Sequence, residues 1–421
     1  MEPTHIIILL VMMSAQFSSA FVTRSSKTLS GKNNVAIGHE SNHQEKKSFL
    51  WRIEANPPSF LFGTIHVPFT KVWDSIPENV MEAFNSSHKL YLELDMNKET
   101  ISALLSCSKL PNNQTLSTFL PPNLYLKWKN YLRYLYQKID SWITPVQRLK
   151  GLSAGTIFEW VFGHWEKRRP LWTLIKTQMV IENIITSIEY PQLDSYLALL
   201  GKLQGKFVSG IEYVDECCST LNNLNNSQVL FIVQKILEAD QDVLLELSTK
   251  SLHQLTQVYR RGTLSPSYFL KSFGIFPRLS KRTNLINNES IWLVDSDEDI
   301  QMAQEIDSYL KSAVVFKRNE IMGKRVTNLV RNNPETSFFF AFGVGHFIGE
   351  NSVVDILRQT GMKIERVSPF TKILNQQQFI RPKATQETIS VRTSYPEENC
   401  SCDQLQSFNW LVCAVRCALG F

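Results

Sequence analysis

The sequence predicts an α/β (α+β) fold, a mixed β-sheet core interrupted by a large helical insertion. Three observations predict it. Two aromatic runs, Phe60-Leu61-Phe62 and Phe338-Phe339-Phe340-Ala341-Phe342, read as buried strands, and each leads into a Gly-x-x-His. Between them Lys89-Leu90-Tyr91-Leu92-Glu93-Leu94-Asp95 alternates as a strand does, with Leu90, Leu92 and Leu94 on one face. The stretch from about Thr100 to Ser290 carries helical spacing instead, so it reads as the insertion.

Composition bounds the rest. The chain has 421 residues, 43% hydrophobic and 11% aromatic, which is ample for a real core. A net charge of +5 with no dense Lys/Arg cluster carries no nucleic-acid footprint. Ile6 to Met13 is an apolar run too short to span a bilayer, and Ser18-Ser19-Ala20 is a small-x-small cleavage site. Residues 1–20 therefore read as a secretory signal peptide, and residues 21–47 as a polar, flexible lead-in. Five N-x-S/T sequons, at Asn85, Asn113, Asn225, Asn288 and Asn399, agree with that route and are the glycosylation candidates. Of seven cysteines, Cys107 and either Cys217 or Cys218 are placed to bridge inside the folded region. Cys400, Cys402, Cys413 and Cys417 lack zinc-module spacing; disulfides or lipidation are the expected fates.

Taken in order, Phe49, Trp51 and Ile53 alternate with polar neighbours, and Asn56-Pro57-Pro58 turns the chain into Phe60, a hairpin. Gly63 allows a bend, and Pro68 cannot donate to a ladder, so that strand finishes near His66. The imidazole is thereby delivered at a carboxyl strand end, where open α/β sheets collect ligands. A short helix follows from Pro77 to Phe84. Further helices begin near Pro121, Pro145, Pro170 and Ser227, with a strand-like piece from Lys206 to Glu212 among them. Asp299 to Asn333 reads as one helix, with a break expected near Gly323 and a stop before Pro334. Its stripe of Ile306, Leu310, Ala313, Val314 and Ile321 puts Arg318 at the edge of the buried face. After the second Gly-x-x-His come a helix from Asn351 to Gln359, capped by Gly361, and a strand from Lys363 to Val367. The folded domain spans 48–370, and residues 371–421 form a loosely ordered tail. Its apolar end, Phe408 to Phe421, is short and carries Arg416, so no membrane-spanning helix is expected there.

The chemistry concentrates in few residues. His66 and His346 with one carboxylate make a borderline ligand set with open positions for water and a carbonyl. There is no H-E-x-x-H, so a separate base is needed; Glu93 reads as ligand or base, with Asp95 on the same face able to share the work. The planar fork of Arg318 suits an oxyanion or a substrate carboxylate. Plainer readings compete: a lone strand-end histidine usually bonds backbone, Glu93 on an edge strand would face solvent, and Lys317-Arg318-Asn319-Glu320 has the look of a solvated helix face. Trp165 to Pro170 reads as a packing and turn element. The repetition of Gly-x-x-His is what favours the functional reading.

Gly63-Thr64-Ile65-His66-Val67-Pro68, Glu93-Leu94-Asp95, Ala303-Gln304-Glu305-Ile306-Asp307-Ser308-Tyr309, Lys317-Arg318-Asn319-Glu320 and Phe338 through Phe347 together resemble the TIKI metalloproteases, the animal, Wnt-directed branch of the TraB family. The resemblance covers roughly residues 48–370. It implies a secreted or cell-surface protease that removes N-terminal residues from Wnt proteins, dampens Wnt signalling and depends on Mn2+ or Co2+. His66, His346 and Glu93 fall on the implied metal-site positions, and Glu93 and Arg318 on the implied catalytic ones. The family usually ends in a hydrophobic anchor, which this tail does not match, so a membrane tether is an open question. The alternatives are a metal hydrolase of a non-protein substrate and a non-catalytic extracellular protein that sequesters its partner.

Overall fold

The computed structural model describes residues 48–111, 114–179, 190–265, 279–281, 292–294 and 296–373. The signal segment, the lead-in, Asn113, Asn288, Asn399, the four tail cysteines and Phe408 to Phe421 lie outside the described residues.

The hairpin forms as its pattern predicts. β1 (Leu50–Ile53) pairs antiparallel with β2 (Ser59–Thr64), Leu50 opposite Phe62 and Ile53 opposite Ser59. A helix, α1 (Glu78–Ser86), starts just after Pro77 and leads to β3 (Lys89–Leu92) and α2 (Lys98–Cys107). Pro122–Trp142 (α3), Ala154–Phe162 (α4), Pro170–Met179 (α5) and Leu193–Leu203 (α6) build the first part of the insertion. The strand-like piece is β4 (Phe207–Gly210), and Val214–Asn222 (α7), Asn226–Glu238 (α8) and Gln241–Arg260 (α9) follow it. Two short parallel strands, β5 (Leu279–Lys281) and β6 (Trp292–Val294), pair with each other away from the main sheet. Asp297–Lys311 (α10) and Lys317–Asn332 (α11) then bring the chain back to β7 (Phe338–Gly343), α12 (Val353–Gln359) and β8 (Ile364–Arg366).

The sheet order is β4-β3-β7-β2-β1-β8. β2, β7, β3 and β4 run parallel, and the hairpin and β8 add an antiparallel edge. Every residue of β2 and of β7 is buried, because both strands are interior and covered on both faces. Two apolar clusters fill the molecule. One packs Phe62, Phe84, Leu90, Phe339 and Phe342 with Met322, Val326 and Leu357 around the sheet. The other packs Trp128, Leu135, Phe162, Trp172, Ile232 and Ile306 among the helices.

Three expectations change in detail. β3 stops at Leu92, not Asp95, and it is an interior strand. The chain beyond it is crowded: a Cβ at Gly210 would lie 2.6 Å from the Asp95 nitrogen, so the β4 end abuts this turn. The long helix is interrupted at a π turn, Ser312–Phe316, rather than near Gly323, which packs against Ile356 instead. A π turn holds one residue more than an α turn, so the buried face advances by one position beyond it. Ile306 and Leu310 are buried before the turn, but Arg318, Met322 and Val326 after it, and Arg318 is in the core rather than at an edge. The bridge partner of Cys107 is Cys218, with Cα atoms 6.1 Å apart, and Cys217 is buried and free among the described residues. Closing 111 residues of chain is worth about 4–5 kcal/mol in chain-entropy terms. Among the described residues no helix is long and apolar enough to cross a membrane.

Candidate active site

Parallel pairing decides where the two histidines go. Thr64 of β2 is the register partner of Gly343 of β7, so the two Gly-x-x-His turns leave the sheet side by side. β3 lies on the far side of β7, and Glu93 is the first residue past its end. The sheet therefore brings His66, His346 and Glu93 to one carboxyl edge.

Each imidazole is held from behind. His66 Nδ1 lies 2.7 Å from Asp194 Oδ2, and the other oxygen of Asp194 accepts from the Thr64 hydroxyl. His346 Nδ1 lies 2.6 Å from Asn319 Oδ1, while Asn319 Nδ2 donates to the Asn351 carbonyl at 2.8 Å. Both partners are acceptors, so Nδ1 carries the proton in each ring and Nε2 presents its lone pair forward. The Tyr259 hydroxyl donates to the Gly63 carbonyl at 2.8 Å and braces the first turn from α9.

Glu93 is gripped at both oxygens. Oε1 accepts the Gly343 N–H at 2.6 Å, and Oε2 accepts Arg318 Nη2 at 2.7 Å and stands 3.8 Å from His346 Nε2. Glu212, just past β4, accepts from the same guanidinium, from Nε at 2.7 Å and Nη2 at 2.5 Å. The groups are deeply buried, His66 and His346 at 1% exposure, Glu93 at 2%, Arg318 at 3% and Glu212 at 5%. Their meeting point is Gly343. A Cβ there would lie 3.0 Å from Glu93 Oε1, 3.5 Å from His66 Nε2 and 3.8 Å from His346 Cδ2. Only a glycine keeps that space open.

The protonation preferences follow. Burial opposes charge on His66, but the Asp194 carboxylate outweighs it and raises the pKa. His346 has a neutral amide partner, and burial pushes it down to about 3. Burial also works against charge on Glu93, yet His346, Arg318, His66 and the Gly343 N–H hold its carboxyl at about 2. Burial raises Glu212 in spite of Arg318.

Sequence reasoning named His66, His346, Glu93 and Arg318, and the fold brings all four together. Asp95 does not join them; it faces Asn97 and Lys202. Asp194, Asn319 and Glu212 were not foreseen. Glu212 had a readable signal, a carboxylate just past a strand, as Glu93 is. Trp165 to Pro170 serves packing, with the Arg168 guanidinium on Gly163 O and Ser108 Oγ. Asn85 and Asn225 are exposed; Asn225 caps α8 through the Gln228 N–H.

A family model described as the TraB/PrgY/gumN family matches residues 49–366. The chain belongs to that family. Metalloprotease TIKI1 of Danio rerio is 42% identical over 322 residues, 76% of this chain and 63% of that protein. Metalloprotease TIKI1 of Xenopus tropicalis is 40% identical over 357 residues, 83% of this chain and 68% of its own length. Metalloprotease TIKI1 of Homo sapiens is 41% identical over 325 residues, covering 76% and 62%. Within the family the chain falls in the TIKI branch. It spans about 63% of the Danio rerio relative's length. No solved structure matches the chain significantly.

The residues fit a divalent cation. His346 Nε2 is buried without a hydrogen-bond partner among the described residues, as a ligand nitrogen would be. Glu93 Oε1 and His66 Nε2 border the same space at Gly343, and carboxylate oxygen with imidazole nitrogen is a donor set that a divalent transition-metal cation takes. Among the described residues no group of three His, Cys, Asp or Glu side chains already stands at ligand spacing. The two imidazoles and Glu93 are the donors the pocket offers.

Proposed function

We propose that this chain is a divalent-metal-dependent protease that removes N-terminal residues from Wnt proteins and so restrains Wnt signalling, with Mn2+ or Co2+ as the metal. One observation carries the reading: His66 Nε2, Glu93 Oε1 and the His346 ring border the same small space beside Gly343. His66 and His346 would hold the metal, with Glu93 as third ligand or as base. When bound, the metal would acidify a water and polarise the scissile carbonyl. The protein's own part is orientation: Asp194 and Asn319 fix the ring tautomers, and the Gly343 N–H keeps a Glu93 oxygen at the pocket. Glu93, held ionised, suits a ligand; to act as the base its carboxyl would have to rise toward the working pH.

Passage through the secretory pathway to the cell surface or medium completes the reading, with residues 1–20 removed and Asn85 or Asn225 glycosylated. A Cys107–Cys218 bridge suits such an oxidising route. The deciding experiment is intact-mass analysis of a purified Wnt incubated with the chain, with and without chelator. Loss of N-terminal mass only without chelator is expected; an unchanged mass in both arms overturns the proposal. The near-complete burial of the site favours a second reading, metal-dependent hydrolysis of a small non-protein substrate. Metal binding with an intact Wnt would favour it.

A further inference from the structure

Arg318 was expected to meet an oxyanion, but its guanidinium is committed to protein. Nε and Nη2 donate to the two oxygens of Glu212, Nη2 also reaches Glu93, and Nη1 donates to the Val314 carbonyl at 3.2 Å in the π turn. A planar fork engaged bidentately has its direction set by its partner. Burying a cation between two carboxylates is costly and carries little net stability, so stability alone is a weak reason for it. The geometry does have an effect on Glu93. With Oε2 held by Arg318 and Oε1 by the Gly343 N–H, the carboxylate is pinned at both ends, one edge toward the imidazoles. The two carboxylates are also tied together at longer range. Glu93 precedes α2 and Glu212 precedes α7, and Cys107 and Cys218 join those helices.

We infer that Glu212 and Arg318 form a positioning pair: Glu212 aims the guanidinium, and the guanidinium fixes Glu93 for its work beside His66 and His346. Neither residue touches the reacting atoms. This inference rests on the reading of Glu93 as a metal ligand or base.

The test uses the full chain and Co2+ as a spectroscopic probe. Glu212→Gln removes the charge that aims the fork while keeping its size. Cobalt affinity should fall about 10–100-fold, the cobalt absorption bands should shift, and kcat on a Wnt substrate should fall with KM little changed. Arg318→Lys should move all three in the same direction, and Glu212→Asp, which keeps the charge, should recover part of each. If Glu212→Gln lowers the unfolding midpoint but leaves the cobalt spectrum, affinity and kcat per folded molecule unchanged, the pair is merely structural and the inference falls. Should Glu212→Gln not fold, Glu212→Asp and Arg318→Lys are judged by the same readouts, and unaltered spectra in both sink it. A parent chain that takes up no cobalt defeats the metal reading, not the pair. The pair is then tested without metal: the midpoint shifts of Glu93→Gln and Glu212→Gln must be non-additive if both act through Arg318, and additive shifts overturn it.

Discussion

The two Gly-x-x-His turns are spelled alike and built differently. At Gly63 a Cβ would strike Val344 Cγ2 at 2.8 Å and Phe49 Cβ at 3.1 Å, so the glycine there lets two layers of the core close. At Gly343 the same atom would meet Glu93 Oε1 and His66 Nε2, so the glycine there keeps the pocket empty. The histidines differ in the same way. His66 is backed by a carboxylate and His346 by an amide, and their pKa values move in opposite directions. A repeated motif therefore marks a shared position on the sheet edge, not a shared task. One turn brings a charged support, and the other brings the N–H that holds Glu93.

The largest effect should come from the rings themselves. His66→Ala and His346→Ala should each reduce Wnt trimming to background while the folded chain is still secreted, as followed by intact mass and by yield in the medium. Normal trimming by either variant would break the claim that the two turns meet in one site.

The glycines separate the two roles. Gly343→Ala should cost about 100-fold or more in turnover with a small change in stability, because its φ of −51° suits alanine and its methyl enters the pocket. Gly63→Ala should do the reverse, losing about 1–3 kcal/mol in urea unfolding through overpacking while the folded fraction keeps its kcat. Equal losses of turnover per folded molecule would erase the distinction.

The smallest effect is electrostatic and belongs to the metal-free chain. His346, held at about 3 against 6.5, binds fewer protons folded than unfolded, so its share of stability is present above 6.5 and drains away as pH falls toward 3. His66, raised above 6.5, has the opposite sign: its share is present below 6.5 and is lost as pH rises through the folded value. His346→Gln should flatten the stability profile on the acid side, and His66→Gln on the alkaline side, by at most about 1.4 kcal/mol per pH unit. Denaturant unfolding in chelator across both ranges checks it; identical profiles for the two variants would show that Asp194 and Asn319 are equivalent backers.

Much of this was legible because it is local. Aromatic runs, the hairpin turn and glycine before histidine are read within a few residues, and they gave β1, β2, β7 and the position of both rings. What was hidden depends on non-local pairing. Asp194 is one acid on an amphipathic helix, and nothing within α6 says that it backs His66. Arg318 was misjudged for a different reason. A 3.6-residue period carried through Ser312–Phe316 is one residue out of phase beyond it, and that puts Arg318 at the edge of the buried face instead of within it. Cys217 and Cys218 are neighbours whose side chains point about 100° apart on a helix, so only the packing of α2 against α7 selects between them.

The disulfide also gives the site an order of assembly. A ribosome makes the loop of Glu93 and Cys107 first, then the first part of the helical insertion, then Glu212 and Cys218 within it, and only afterwards Arg318, Asn319 and His346. Where thiols are oxidised as they emerge, the two carboxylate loops can be fastened to each other before the cation that fits between them exists. Two like charges would then wait, covalently neighboured, for the long helix that neutralises them. The last third of the chain would thus arrive at a prepared socket, and its docking would be drawn by charge as well as by apolar burial. A chain made with its thiols reduced would lack that socket and would have to gather both loops and the helix at once.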